Sequence, residues 1–474
     1  MLLALVGLYL AVSVAVGLYA ATRVRGAADF AVARGRFGAP VVAATVFATW
    51  FGAETVLGIP ATFLKEGFRG VVADPFAAVG CLLLVGLVFA RPLFRLDILT
   101  LGDFFRSRYD RKADVALSLC IAFSYLGWIA AQLVALGLVF DVLTGGAIDM
   151  HTGIVVGAAI VLLYTMAGGM WSVALTDFVQ AAMIIVGMGY VAWVVAGLAG
   201  GPLAVWESVA STDRVRVLPD GDAGAMLGWV SAALVVLFGS VPQQDVLQRV
   251  KSARDERTAV VGSIAGGLIY LVIAFVPIFL VCAAALIDAP MVERLVARDY
   301  QLILPTLIVE RTPLAVQALF FGALVAAILS TAGGALLAPA VMLAENVLRP
   351  VMKPASDAQF LRLMRATVAL LAIAVTGMAL TSRLSIYQLV NESGKVVLVS
   401  SFVPLAAGLF WKRATAFGAH ASIAAGLAVW IGMEWLTPDA LVPPPLAGLL
   451  ASAAAMAAGS LVSVPRGQEP GGRA

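Results

Sequence analysis

From end to end the chain alternates apolar runs near 20 residues long with short polar joints. One crossing of a bilayer needs about 20 helical residues. On that measure the pattern predicts thirteen membrane-spanning helices, over 2–22, 39–61, 68–95, 116–142, 151–168, 171–199, 225–245, 257–286, 312–346, 359–381, 384–410, 414–436 and 444–464. The first run has no basic residue ahead of it and Arg23 and Arg25 behind it, so it reads as a retained helix and not as a cleaved leader. The polar stretches 200–224 and 287–311 are expected to be outer loops, and the Pro/Gly-rich end 465–474 to have no fold of its own.

Two of the runs are interrupted. The second carries Ala48-Thr49-Trp50-Phe51-Gly52-Ala53-Glu54 followed by Gly58 and Pro60, and the seventh carries Phe238-Gly239-Ser240-Val241-Pro242-Gln243-Gln244. In lipid, backbone groups freed by such a break must face protein, water or an ion, so paired breaks point to a transport site, with packing kinks as the plainer alternative. The breaks lie five spans apart, and the odd spacing gives them opposite directions across the bilayer. That is what an inverted repeat of spans 2–6 and 7–11 requires. The expected organisation is an extra helix and inner loop over 1–38, a repeat core over 39–410, and two further helices with a short tail over 411–474.

Composition agrees with a chain dissolved in lipid: 62% of residues are hydrophobic and 12% charged, against roughly 25% charged in soluble proteins. The net charge of +3 includes no basic block able to grip a phosphate backbone, so no nucleic-acid partner is expected. Cys81, Cys120 and Cys282 sit in separate apolar runs, and His151 and His420 are the whole supply of histidine. No Ser/His/Asp, HExxH or paired-carboxylate constellation supports an enzyme. With the N-terminus outside, predicted inner segments hold 22 of the 31 basic residues, including Arg249 and Lys251, and outer segments hold 8. This bias favours a plasma-membrane protein with a cytoplasmic C-terminus.

The stretch Tyr164-Thr165-Met166-Ala167-Gly168-Gly169-Met170-Trp171-Ser172, continuing to Asp177-Phe178-Val179-Gln180, resembles the sodium/solute symporter family. So do Gln248-Arg249 and Ile328-Leu329-Ser330-Thr331. The resemblance implies an all-α membrane protein of about 13 helices with leucine-transporter-type inverted five-helix repeats. Ala48-Thr49-Trp50, Phe89-Ala90-Arg91-Pro92, Gly239-Ser240-Val241-Pro242 and Trp128 are most similar to the choline-transporter branch. That branch holds a quaternary ammonium on aromatic faces, which attract a cation through the ring quadrupole. Trp50 and Trp128 stand at two aromatic positions and Gln243 at a third.

The resemblance also implies a sodium site made by backbone carbonyls of Ala48, Phe51 and Ala327 and the hydroxyls of Ser330 and Thr331, an oxygen set suited to a hard cation. Gly333 and Gly334 stand where some relatives carry hydroxyls for a second sodium, so one sodium per cycle is expected. Glu54, just past the first break, is a candidate substrate or proton acceptor, or a structural acceptor. Asp177 is expected to tether span six or line the ion path. Glu392 and Lys395, three apart, are expected to pair, with Asn391 beside them as a substrate contact. The expectation is a sodium-coupled importer of a small organic solute, of the amino acid or quaternary ammonium class. A proton-coupled transporter and a non-transporting solute sensor are the alternatives.

Overall fold

The computed structural model describes residues 1–463 and is all helical apart from one isolated bridge between Phe37 and Ala253. The end 465–474, with Arg466 and Arg473, lies outside the described residues. The principal helices are α1 (Leu2–Ala21), α2 (Ala39–Trp50), α3 (Glu54–Arg95), α4 (Leu101–Arg108), α5 (Arg111–Thr144), α6 (Met150–Leu198) and α7 (Ala223–Gly239). They continue as α8 (Gln244–Ser252), α9 (Glu256–Ile287), α10 (Leu314–Met352), α11 (Asp357–Thr381), α12 (Ile386–Phe410), α13 (Ala416–Leu436) and α14 (Pro444–Val462).

Many of these helices begin at a short polar side chain that accepts a hydrogen bond from the first turn. Asp110, Asp149, Asp222, Asp255, Ser356, Ser385 and Thr415 cap α5, α6, α7, α9, α11, α12 and α13 in this way. Such caps satisfy backbone donors that the helix leaves unpaired. The expected outer loops are not bare: they contain Pro202–Ala210, Ala289–Arg298 and Ile303–Arg311 as short helices.

Among the described residues, ten helices are long and apolar enough to cross a membrane, or eleven if α7 and α8, bent by 44°, make one span. This count departs from the expected thirteen for identifiable reasons. Helix α2 has only 12 residues before its break. The runs α3 and α6, of 42 and 49 residues, each cover ground that the hydropathy pattern divides in two. At 1.5 Å per residue they would reach about 63 and 73 Å if straight, roughly twice a bilayer core. Neither is straight: α3 leaves helical geometry at Asp74 (φ −143°, ψ 123°) and α6 at Gly169 (φ 51°, ψ −135°).

Burial ranks the helices. In their most apolar windows, 78% of α5 and 72% of α10 are buried, against 17% of α1. Helix α10 is enclosed without interruption from Phe320 to Met342. The centre of the bundle is therefore α5 and α10, with α2 packed on α9, α10 and α6, and the interrupted helices lie where polar groups can be met by protein.

The kink at Gly169 yields a direct test. Its conformation is one that L-residues with a Cβ rarely adopt, and an added Cβ would lie 2.3 Å from the carbonyl oxygen of Phe30. Gly169→Ala is expected to cost about 1–3 kcal/mol, read as a lowered thermal-unfolding midpoint and reduced monodisperse yield in detergent. An unchanged midpoint would refute the strained geometry.

Candidate substrate and ion site

At the end of α2 the chain leaves helical geometry at Phe51 (φ −89°, ψ 79°) and returns to it at Ala53, just before α3. The last carbonyls of α2 thus lack intrahelical partners. Thr331 on α10 meets them, its Oγ1 donating to Thr49 O at 2.9 Å and lying 3.5 Å from Ala48 O. On the other side of the break the Ala53 amide donates to Gln132 Oε1 on α5 at 2.9 Å. Gln132 Nε2 then donates to Glu54 Oε2 at 2.7 Å, and Trp128 Nε1 to Glu54 Oε1 at 3.1 Å. Gly52 is where these groups converge: a Cβ there would stand 2.5 Å from Glu54 Oε2, 2.9 Å from Thr331 Oγ1 and 3.0 Å from Gln132 Oε1.

Ala48, Phe51, Ala327, Ser330 and Thr331 are all buried. Thr331 reaches the Ala48 carbonyl, Phe51 is at the break, and Ala327 lies one turn before Thr331 on α10. Freed carbonyls, hydroxyls and the negative end of a helix dipole form a donor set that suits a hard monovalent cation. Ser330 turns elsewhere, donating to Asp177 Oδ1 at 2.6 Å.

Asp177, fully buried on α6, has a wider set of neighbours than an end tether. Its Oδ2 lies 3.5 Å from Thr49 Oγ1 and 3.9 Å from Arg249 Nη2, while Arg249 also donates to Thr49 Oγ1 at 2.5 Å. Arg249 is 2% exposed. Arg249 is thus not the loop charge that its place in a predicted inner segment implies: α8 carries it back into the bundle, where a carboxylate and a hydroxyl compensate the burial. Lys251 is also buried, its Nζ bonded to the carbonyls of Phe94 and Leu96.

The second break, Ser240–Gln243 between α7 and α8, borders a cavity of about 60 Å³. Trp50, Glu54, Trp128, Gln243 and Asn391 all line it, so the five candidate substrate residues come together. Asp74, Tyr387, Ser240 and Ser393 line it as well. Asp74 accepts a hydrogen bond from the Tyr270 phenol, whose oxygen lies 3.1 Å from Thr55 Oγ1. A second chamber of about 380 Å³ shares Tyr387 and Asn391 with the first and is lined further by Lys395, Glu434 and Pro443–Pro445. Lys395 pairs with Glu392 at 2.7 Å, as their spacing predicts, and lies 3.5 Å from Glu434.

A family model described as the sodium:solute symporter family matches residues 30–426. The chain belongs to the sodium:solute symporter family. It is therefore a membrane transport protein and not an enzyme. A human high-affinity choline transporter is 28% identical, over 90% of this chain and 75% of that protein. The osmoregulated proline transporter of Bacillus subtilis (strain 168) is 24% identical, over 90% of this chain and 87% of its own. The solved outward-open structure of a sodium-coupled sialic acid symporter superposes with a TM-score of 0.83, covering 98% of both chains at 20% identity. It shares the fold.

Reading the symporter's sequence missed Asp74, Tyr387, Gln132 and the inward turn of Arg249. Asp74 sits where hydropathy marks only the start of a span. Gln132 follows Trp128 by one helical turn, a spacing that places both on one face of α5 and is the signal that could have revealed it. Replacing Gln132 by Leu removes the acceptor for Ala53 N–H and a donor to Glu54. It is expected to lower stability by about 1–3 kcal/mol, measured as thermal unfolding of the purified symporter. A neutral effect would show that these hydrogen bonds are dispensable.

Proposed function

We propose that this symporter imports a small nitrogen-bearing organic solute, driven by one sodium ion per cycle. The observation that carries the reading is the meeting of Thr331 with the freed carbonyls of Ala48 and Thr49, next to a cavity lined by Trp50, Trp128 and Glu54. The carbonyls of Ala48, Phe51 and Ala327 and the hydroxyls of Ser330 and Thr331 hold the sodium. Trp50, Glu54, Trp128, Gln243 and Asn391 hold the solute. Similarity to choline and proline transporters supports a nitrogenous substrate.

In this reading α3 and α6 each cross twice and α2 joins the first half of α3, giving thirteen crossings. Spans 2–6 and 7–11 form the inverted repeats within 39–410, flanked by 1–38 and by 411–474. The protein lies in the plasma membrane with its N-terminus outside and its C-terminus in the cytoplasm, the orientation that collects basic residues inside. Sodium bridging α2 and α10 favours the outward-facing arrangement, and its loss to a low-sodium cytoplasm releases the solute. The membrane potential adds about 2.3 kcal/mol per charge per 100 mV.

One sodium is supported by the surroundings of Gly333 and Gly334. A Cβ there would stand 2.6 Å from the Tyr164 hydroxyl and 2.5 Å from Arg249 Nη2, so this room is already filled. Uptake by proteoliposomes is expected to depend on sodium with a Hill coefficient near one; a value clearly above one rejects the stoichiometry. The double variant Ser330→Ala/Thr331→Ala is expected to lose sodium-driven uptake while keeping its elution profile. Retained sodium dependence in that variant, or uptake driven by a pH gradient without sodium, rejects the ion site.

A further inference from the structure

The cavity between the two broken helices holds carboxylates that no neighbouring cation balances. Glu54 and Asp74 line it, and among the described residues no Lys, Arg or His does. The two acids differ in how they are satisfied. Both oxygens of Glu54 accept protein hydrogen bonds, from Trp128 and Gln132. Asp74 receives the Tyr270 hydroxyl on one oxygen, and its other oxygen takes no hydrogen bond from any described residue.

Building on the reading of this cavity as the solute site, we propose that the transported solute is a small amine with net positive charge, no carboxylate, and at least one N–H that reaches Asp74. Three arguments lead there. A solute carboxylate would bring an anion into a low-dielectric interior that already holds two acids, with no positive side chain to receive it. Lys395 lines the adjoining chamber instead and is engaged by Glu392 at 2.7 Å. A quaternary ammonium satisfies the charge but donates no hydrogen bond, so it would seal the open oxygen of Asp74 away from water without a partner.

An N–H-bearing ammonium meets both demands, and Trp50 and Trp128 supply ring faces for its charge and methylene groups. Ser240 and Gln243 keep the third side of the cavity polar. The arrangement also links solute to ion. Glu54 shares the space around Gly52 with Thr331 of the sodium site, so the loaded carrier brings one cation toward each carboxylate: sodium beside Glu54, the amine at Asp74.

The test uses the full-length protein in nanodiscs and a series that changes one feature at a time: ethanolamine, its N-methyl and N,N-dimethyl derivatives, choline, and serine. Thermal stabilisation is measured in sodium and in potassium. The three amines are expected to stabilise the protein only in sodium, at concentrations at least about tenfold lower than choline requires, and serine is expected to give no shift. Asp74→Asn is expected to raise the amines' half-saturation at least about tenfold, while Asp74→Glu keeps the preference for N–H. Stabilisation by sodium alone should survive in both variants and reports an intact fold and ion site.

Choline binding as tightly as the amines, serine binding at all, no shift from any of the three amines, or an Asp74→Asn variant that binds amines normally overturns the inference. Each of those outcomes leaves the symporter reading in place. Absence of any sodium-dependent stabilisation, by sodium alone or with any solute, overturns both.

Discussion

A helix that breaks in the middle of a bilayer releases backbone carbonyls and amides that lipid cannot satisfy, and every neighbour of such a break is selected by that requirement. Between Phe51 and Ala53 the released groups are met by Thr331 from α10 and Gln132 from α5. Those are the two helices most fully enclosed by the bundle. The polar centre can sit there because α5 and α10 are shielded from lipid on nearly all sides. The same hydroxyl and carbonyls that repair the break form the oxygen set proposed for sodium. An ion held there would replace the Thr331 hydrogen bonds, so repair of the break and ion binding would compete for the same atoms.

From this centre the remaining buried charges fall into order. Ser330, next to Thr331, commits its proton to Asp177, and Asp177 in turn requires a cation within reach. Arg249 supplies it from α8, the second half of the second broken helix, and also holds Thr49 on α2. Asp245, one turn earlier on α8, accepts the Tyr125 hydroxyl at 2.5 Å, and Tyr125 stacks on Trp128 at 5.9 Å between ring centres. The two broken helices are thus joined through one polar chain, on one side by Arg249 and Thr49, on the other by Tyr125, Trp128 and Glu54.

Much of the site was legible because its signals are local. The breaks announce themselves as Gly and Pro within apolar runs, and the aromatic and polar residues beside them, Trp50, Glu54 and Gln243, share one cavity with Trp128 and Asn391. What escaped depends on partners far away in sequence. Arg249 reads as an inner-loop cation until Asp177, 72 positions earlier, is seen beside it. Asp74 reads as a helix end until Tyr270 meets it. The ten long apolar helices differ from the thirteen apolar runs for a related reason: α3 and α6 change direction at single residues, Asp74 and Gly169, where hydropathy and hydrogen bonding divide the chain differently.

Polar contacts are distributed unevenly around the cavity. Toward the predicted outside, the cavity adjoins a chamber across Tyr387 and Asn391, and the Tyr387 hydroxyl donates to Gly70 O at 3.2 Å. Toward the predicted inside, Asn346 on α10 accepts from Thr100 and Arg111 and donates to Asp103. Gln244 of α8 bonds the backbone at Leu99 and Leu101, and Arg108 bonds the carbonyls of Gly408 and Trp411. These bonds tie α4 to α8, α10 and α12. Each lies near a helix end, where opening would exchange it for water, and a protein hydrogen bond exchanged for water nets only about 0.5–1.5 kcal/mol. Many small, water-replaceable bonds would make a seal on that side that is firm when closed and inexpensive to open. The bonds at the Phe51 break lie among buried residues of α2, α5 and α10, where breaking one costs more than at an exposed helix end.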